Sequence, residues 1–289
     1  MATALRIEST LEAALDRAGS GPAPPRLSAA LRHAVFPGGA RVRPNLCLAV
    51  AVACGDDLPV LADAAAVAVE LLHCASLVHD DLPCFDDAPT RRGRPSVHAA
   101  FGQPLAVLAG DALIVMAFDG LARAGAAAPA RLAPLLTIVA RGVGMPGGIV
   151  AGQAWESEPR VVVEDYHRAK TGALFMAAVT AGAIAAGADP GPWRELGETL
   201  GAAYQVADDL LDAVCVQQDC GKPTGRDAAL QRPSLVAELG LDGAYVRLQD
   251  LVAAAAAAIP PCDGAKALSE LVHMQATRLA PKHLARSAA

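Results

Sequence analysis

The chain alternates between long apolar runs and short breaks rich in Gly, Pro and Asp. The breaks are residues 19–25 (GSGPAPP), 36–40 (FPGGA), 54–57 (CGDD), 83–95 (PCFDDAPTRRGRP), 144–148 (GMPGG), 187–192 (GADPGP) and 219–225 (DCGKPTG). Such clusters mark loops, because Gly and Pro supply backbone angles that regular elements do not use. The runs between them extend for roughly 12 to 24 residues, longer than ordinary strands, and none sustains a period-two alternation. Pro59 opens one run and Pro192 lies just before another, as expected of a residue tolerated in a first helical turn. The pattern predicts roughly ten helices. No heptad run, fixed repeat or long linker appears, so residues 1–289 read as one all-α domain with its two longest helices at the centre.

Composition agrees. Of 289 residues 66 are Ala, the best intrinsic helix former, and only 3% are aromatic, which speaks against an all-β fold. With 53% hydrophobic residues the chain can fill a large core and is not disordered. A net charge of −6 lacks the basic surplus of a nucleic-acid binder. The seven cysteines (Cys47, Cys54, Cys74, Cys84, Cys215, Cys220 and Cys262) form no CxxC pair and are odd in number, so they predict free thiols and a reducing, cytoplasmic compartment. The N-terminal segment carries acids and no apolar h-region, unlike a signal peptide. The most apolar stretch, Thr171–Ala188, is mostly Ala and Gly and reads as a core helix rather than a membrane span.

Two aspartate clusters carry the chemistry. Asp80, Asp81 and Asp86, with Asp87 beside them, close one apolar run; Asp208, Asp209 and Asp212 close another. Carboxylates at a helix C-terminus oppose the macrodipole and repel one another, so a cation should compensate them. Asp208 and Asp212 are one turn apart and share a helix face, suited to a hard divalent cation such as Mg²⁺. Asp80 and Asp86 are six apart, about 120° off on a helix, and Pro83 stands between them, so Asp86 must return through a loop. His73, seven before Asp80, falls on the same face. Basic groups lie close in sequence: Arg41 and Arg43 after Gly38-Gly39, Arg91, Arg92 and Arg94 after the first cluster, and Lys222 after the second. Acid clusters for Mg²⁺ with neighbouring guanidinium forks suit a diphosphate. There is no P-loop, GxGxxG, GxSxG or HExxH.

In their order along the chain these elements resemble the trans-type polyprenyl diphosphate synthases. Residues 36–44 (FPGGARVRP) are similar to that family's GGKRxRP, and Asp80–Asp86 to its DDx₄D motif, followed by Arg91-Arg92-Gly93. Gly152-Gln153, Lys170-Thr171-Gly172, residues 204–212 (YQVADDLLD) and Gly221-Lys222-Pro223 with Gly225 resemble its remaining elements. The runs HCASLVHDDLP and GQAWESE are most similar to geranylgeranyl diphosphate synthases of bacterial pigment pathways.

The resemblance implies the isoprenoid synthase fold with a deep central cavity, a homodimer, and isoprenoid diphosphates as substrates. It implies three Mg²⁺ held by Asp80, Asp81, Asp86, Asp208, Asp209 and Asp212. Arg91, Lys170 and Lys222 would face the allylic diphosphate. Arg43, His73 and Arg92 would face isopentenyl diphosphate, with Arg41 sharing the role of a missing Lys at Ala40; Gln153 belongs to the substrate side. Thr171 and Gln205 would lie near the allylic cation. Ala75, fifth before Asp80, and Ser76 would form a small floor that admits a C20 rather than a C15 chain. The expected activity is condensation of isopentenyl diphosphate with an allylic diphosphate, farnesyl diphosphate foremost, to geranylgeranyl diphosphate. The alternatives are a C15 farnesyl diphosphate synthase, a non-catalytic subunit of a heteromeric synthase, and a terpene cyclase, which would lack Arg43, His73, Arg92 and the KTG element. Ala40, Arg94 and Arg232 depart from the family's usual residues without removing a metal ligand.

Overall fold

Alanine-rich runs become helices throughout the computed structural model, which describes residues 2–36, 38–214 and 235–279. In order they are α1 (Ala2–Ala18), α2 (Pro25–Val35), α3 (Val42–Ala53), α4 (Pro59–Asp80), α5 (Val97–Phe101), α6 (Gln103–Gly125), α7 (Pro129–Val143), α8 (Ile149–Trp155), α9 (Val163–His167), α10 (Ala173–Ala185), α11 (Arg194–Val214), α12 (Leu235–Ala257) and α13 (Ala265–Leu279). A π-turn, Arg168–Gly172, joins α9 to α10. Gly240 breaks α12 at φ 71°, a left-handed angle open to glycine. The all-α expectation holds. The loop expected at 83–95 adds one small hairpin, β1 (Thr90–Arg91) with β2 (Arg94–Pro95). Its turn places Arg92 (φ 54°) and Gly93 (φ 73°) in the left-handed region, as a two-residue hairpin turn of type I′ requires.

The chain forms two compact units. The first comprises residues 1–139 and 181–189, the second residues 140–180 and 190–289.

In the first unit α4 is the central rod. It packs against α1, α2, α3 and α6. Leu61, Val69, Leu71 and Leu72 are at most 1% exposed, each contributing about 1.5–3 kcal/mol of apolar burial. Alanines between the larger side chains let neighbouring helices approach. One charged residue, Glu70, sits inside this apolar rod at 2% exposure. Helix α6 differs from the expectation that the longest helices are central. It is as long and apolar as a membrane span, yet only a third of its apolar stretch is buried, against two thirds for α4. Val107, Leu108 and Val115 stand open on it.

In the second unit α11 packs on α12, α13 and the π-turn, and α8 packs on the same turn. A Cβ on Gly201 would sit 2.5 Å from the Gly172 Cα, and one on Gly152 would collide with the Lys170 backbone. The bare glycines therefore let two helices close directly on the KTG segment. The apolar stretch Thr171–Ala188 begins inside the π-turn and continues as α10, whose Leu174, Phe175, Ala178 and Val179 are buried in this unit.

Candidate active site: two aspartate clusters of similar build

The first cluster is built where α4 stops. Pro83 ends the helix, and the chain folds back so tightly that the Asp86 N–H donates to the Asp80 carbonyl at 2.9 Å and the Ala88 N–H to the Asp81 carbonyl at 3.1 Å. The loop thus returns Asp86 beside Asp80, as the spacing demanded. Asp81 points inward at 2% exposure, where the Arg91 guanidinium donates from Nε to both carboxylate oxygens at 3.0 and 3.3 Å and from Nη2 to Oδ1. Arg91 Nη2 also stands 3.7 Å from Asp80 Oδ2. Burial pushes the Asp81 carboxyl above its ordinary range; Arg91 pulls it down, while Asp80 and Asp86 push it up.

His73, half-buried on α4, lies near the arginines of this unit. Burial holds its imidazole well below the usual histidine pKa, and Arg43, Arg92, Arg91 and Arg41 lower it further. At neutral pH His73 is therefore an uncharged hydrogen-bonding group among guanidiniums. Because the unfolded chain binds a proton at His73 near 6.5 and the folded chain does not, stability falls as pH drops below that value. His167, lowered by burial, acts in the same direction. Denaturant unfolding at pH 7.5 and 5.5 checks this: His73→Gln should show a smaller loss of stability on acidification than the unaltered protein, with His167 leaving a residual slope.

Arg41 differs from its sequence expectation. It is 7% exposed, and its guanidinium is fully engaged: Nε donates to Glu8 Oε1 at 2.8 Å, Nη1 to Glu70 Oε1 at 2.6 Å, and Nη2 to the Val35 carbonyl at 2.9 Å. It stands inside the protein as an ion-pair centre, each of its three nitrogens donating to a protein oxygen.

In the second unit Asp208, Asp209 and Asp212 lie in the last turns of α11. Asp208 and Asp212 are half-buried on one face, as the spacing predicts. Asp209 is 3% exposed; its Oδ1 accepts from Gln205 Nε2 at 2.9 Å and its Oδ2 from the Leu235 N–H at 2.8 Å. Leu235 opens α12, so a carboxylate that opposes the dipole of its own helix satisfies the N-terminus of the next. Burial raises the Asp209 carboxyl, against the Leu235 and Gln205 hydrogen bonds and His167; Asp208 raises it.

Gln205 links this cluster to the KTG turn, because its Oε1 accepts from Thr171 Oγ1 at 2.8 Å. The π-turn makes the link by turning Thr171 toward α11; such wide turns recur at functional sites. Lys170 Nζ pairs with Glu156 Oε1, which also accepts from Tyr166 Oη at 2.7 Å, and Gln153 Nε2 reaches Glu156 Oε2 at 3.4 Å. Lys222 lies outside the described residues, as do Gly221, Pro223, Gly225 and Arg232.

The two clusters share a plan. In each, the middle aspartate (Asp81 or Asp209) is buried and oriented by protein donors, and the flanking carboxylates are more accessible. The donor set is carboxylate oxygen only, the choice of a hard cation such as Mg²⁺. Among the described residues no three His, Cys, Asp or Glu side chains converge as a metal-holding group. Two carboxylates per cluster fit Mg²⁺, which takes the rest of its octahedron from water and phosphate oxygens.

Glu8, Glu70 and Glu156 were not anticipated. Glu70 had a signal, being one acid inside an apolar helical run, which demands a basic partner. Nothing in the sequence pointed to Glu8 as a partner of Arg41.

Residues 24–258 match the family described as Polyprenyl synthetase. The chain is 55% identical, over 285 residues covering 99% of each chain, to a geranylgeranyl diphosphate synthase of Cereibacter sphaeroides. Its fold is similar to a geranyltransferase of Legionella pneumophila at a TM-score of 0.82, with 27% identity and 96% and 94% of the two chains covered. It is also similar to a geranyltransferase of Helicobacter pylori in complex with magnesium and isoprenyl diphosphate, at a TM-score of 0.75 and 29% identity, with 96% and 95% covered.

Proposed function

The chain belongs to the polyprenyl synthetase family, and on that premise we propose that it condenses isopentenyl diphosphate with an allylic diphosphate, farnesyl diphosphate foremost, to give geranylgeranyl diphosphate. The observation that carries this reading is the shared build of the two aspartate clusters, each with a pinned central carboxylate and accessible partners. The near full-length likeness to a C20 synthase supports the product length. It weighs against the C15 farnesyl alternative. Intact clusters weigh against a non-catalytic subunit, and Arg43, His73 and Arg92 against a cyclase.

Asp80, Asp81, Asp86, Asp208, Asp209 and Asp212 would hold Mg²⁺, three ions in all, with Asp81 and Asp209 the buried members of each set. Bound there, Mg²⁺ supplies the positive charge that stabilises a departing diphosphate. Arg91 serves the same anion with its guanidinium, and Lys170 does so by exchanging its Glu156 partner for a phosphate oxygen. Arg43, Arg92 and the neutral His73 bind isopentenyl diphosphate, and Gln153 steadies the Lys170 side through Glu156. Thr171 and Gln205 present oxygens to the allylic cation that forms when the C–O bond breaks. The double bond of isopentenyl diphosphate attacks that cation, and loss of a proton completes the new allylic chain; the released diphosphate is the base. Along α4, Leu72 and Ala75 are buried, and Ser76 Oγ donates to the His73 carbonyl at 2.8 Å. On this reading Ala75 and Ser76 form the floor beneath the growing chain.

The match over residues 24–258 supports treating residues 1–289 as one catalytic domain. The open apolar face of α6 is read as the surface that a second copy covers in a homodimer rather than as a membrane span. Described cysteines are free thiols, in keeping with a cytoplasmic enzyme.

Purified protein incubated with Mg²⁺, labelled isopentenyl diphosphate and each allylic diphosphate in turn should yield a C20 alcohol after dephosphorylation. A C15 endpoint would overturn the product length, and failure to elongate any primer would overturn the activity.

A further inference from the structure

The Gly38-Gly39 segment is held between two guanidiniums. A Cβ on Gly38 would collide with the Arg41 guanidinium, and one on Gly39 would lie 2.8 Å from Arg92 Nη2. The backbone therefore rests directly on Arg41 on one side and on Arg92 on the other. Arg41 itself cannot drift. It has a left-handed backbone (φ 49°) at the start of α3, and its side chain is gripped by Glu70 from α4 and Glu8 from α1. The Phe36 ring lies against its guanidinium at 5.5 Å. Two residues on, Arg43 enters the first turn of α3.

We propose that Glu8 and Glu70, acting through Arg41, are positioning residues that hold the Gly38-Gly39 segment, and with it Arg92 and Arg43, in the shape that receives the diphosphate of isopentenyl diphosphate. This rests on the functional reading above. The argument is geometric and electrostatic. A lone Arg in this place would add a further cation to Arg43, Arg91 and Arg92; two carboxylates on one guanidinium give the triad a net −1 and remove that repulsion. The forked contacts also fix the plane on which Gly38 lies, a constraint that a Lys point charge could not impose. Through Glu8 the N-terminal helix, remote in sequence from every motif, becomes part of the substrate machinery.

Glu8 is the residue to test, because its side chain is 42% exposed and sits on a surface helix, whereas changing buried Glu70 strands a charge. In full-length Glu8→Ala the KM for isopentenyl diphosphate should rise about tenfold, the scale of one lost charge-assisted contact, with kcat and the allylic KM within about twofold. Glu8→Gln, which keeps one acceptor, should fall between, and Arg41→Lys should show the same split. Thermal melting alongside separates this from a general loss of structure. An unchanged KM in Glu8→Ala, or equal rises for both substrates, would overturn the proposal while leaving the activity standing. An unaltered protein that elongates no primer would overturn both.

Discussion

Asp208→Asn lowers the turnover of prenyl elongation by roughly 10²- to 10³-fold, the rate equivalent of a few kcal/mol of lost charge stabilisation, while the protein melts near its usual temperature. The substitution keeps size and polarity and removes only charge. Asp208 is half-buried on α11, on the same face as Asp212, whereas Asp209 is buried and caps α12 through the Leu235 N–H. Loss of the Asp208 charge should act on the cation. The measurement is kcat at several Mg²⁺ concentrations: the variant should need more Mg²⁺ to reach its reduced maximum. Near-normal turnover would remove Asp208 from the metal ligands. Asp209→Asn offers a contrast. Gln205 and Leu235 donate to different oxygens of Asp209, and an amide offers only one oxygen, so its N–H₂ must face one of the two donors and the effect should include a lower melting temperature.

The second large effect concerns product length. Ala75→Tyr should shift the main product from C20 to C15. Ala75 is 1% exposed on α4, beside Leu72 and a Ser76 whose hydroxyl is already satisfied. With Ala75 as the floor of the chain's path, a phenol there would block a chain that lengthens by five carbons at each condensation. Overfilling a packed site costs typically about 1–3 kcal/mol, so some loss of thermal stability should accompany the shift. Chromatography of the dephosphorylated products reads the outcome. Unchanged product length in a folded variant would overturn the floor argument; should Ala75→Tyr not fold, Ser76→Phe, on the half-buried neighbour, puts the same bulk one position away.

The sequence showed what is local and periodic. Helix runs ended where Gly, Pro and Asp clustered, and the return of Asp86 beside Asp80 followed from Pro83 and a six-residue spacing. It could not rank residues of one type within a motif. Six aspartates looked equivalent, yet Asp81 and Asp209 are turned inward because Arg91, Gln205 and Leu235 offer donors there, a fact of tertiary packing. Arg41 shows the same limit: adjacency to Gly38-Gly39 suggests substrate contact, while its partners Glu8 and Glu70 lie 33 and 29 residues away. Composition does not tell a buried helix from an open one: α6 is as apolar as α4, yet only a third of its apolar stretch is buried.

The π-turn at Arg168–Gly172 has a consequence for how this gene can change. A wide turn holds one residue more than an α-turn closes over, so the segment is a fixed insertion within an otherwise continuous helical rod. Deleting any one of those five residues would restore ordinary helical hydrogen bonding and, judged by local stability alone, would be tolerated. It would also rotate everything on one side of the lesion by about 100° against the other. Thr171 could then no longer meet Gln205 while Lys170 meets Glu156. The frame of this stretch is thus guarded by register rather than by side-chain identity, and length variation among descendants of this chain should collect in its loops and avoid these five positions.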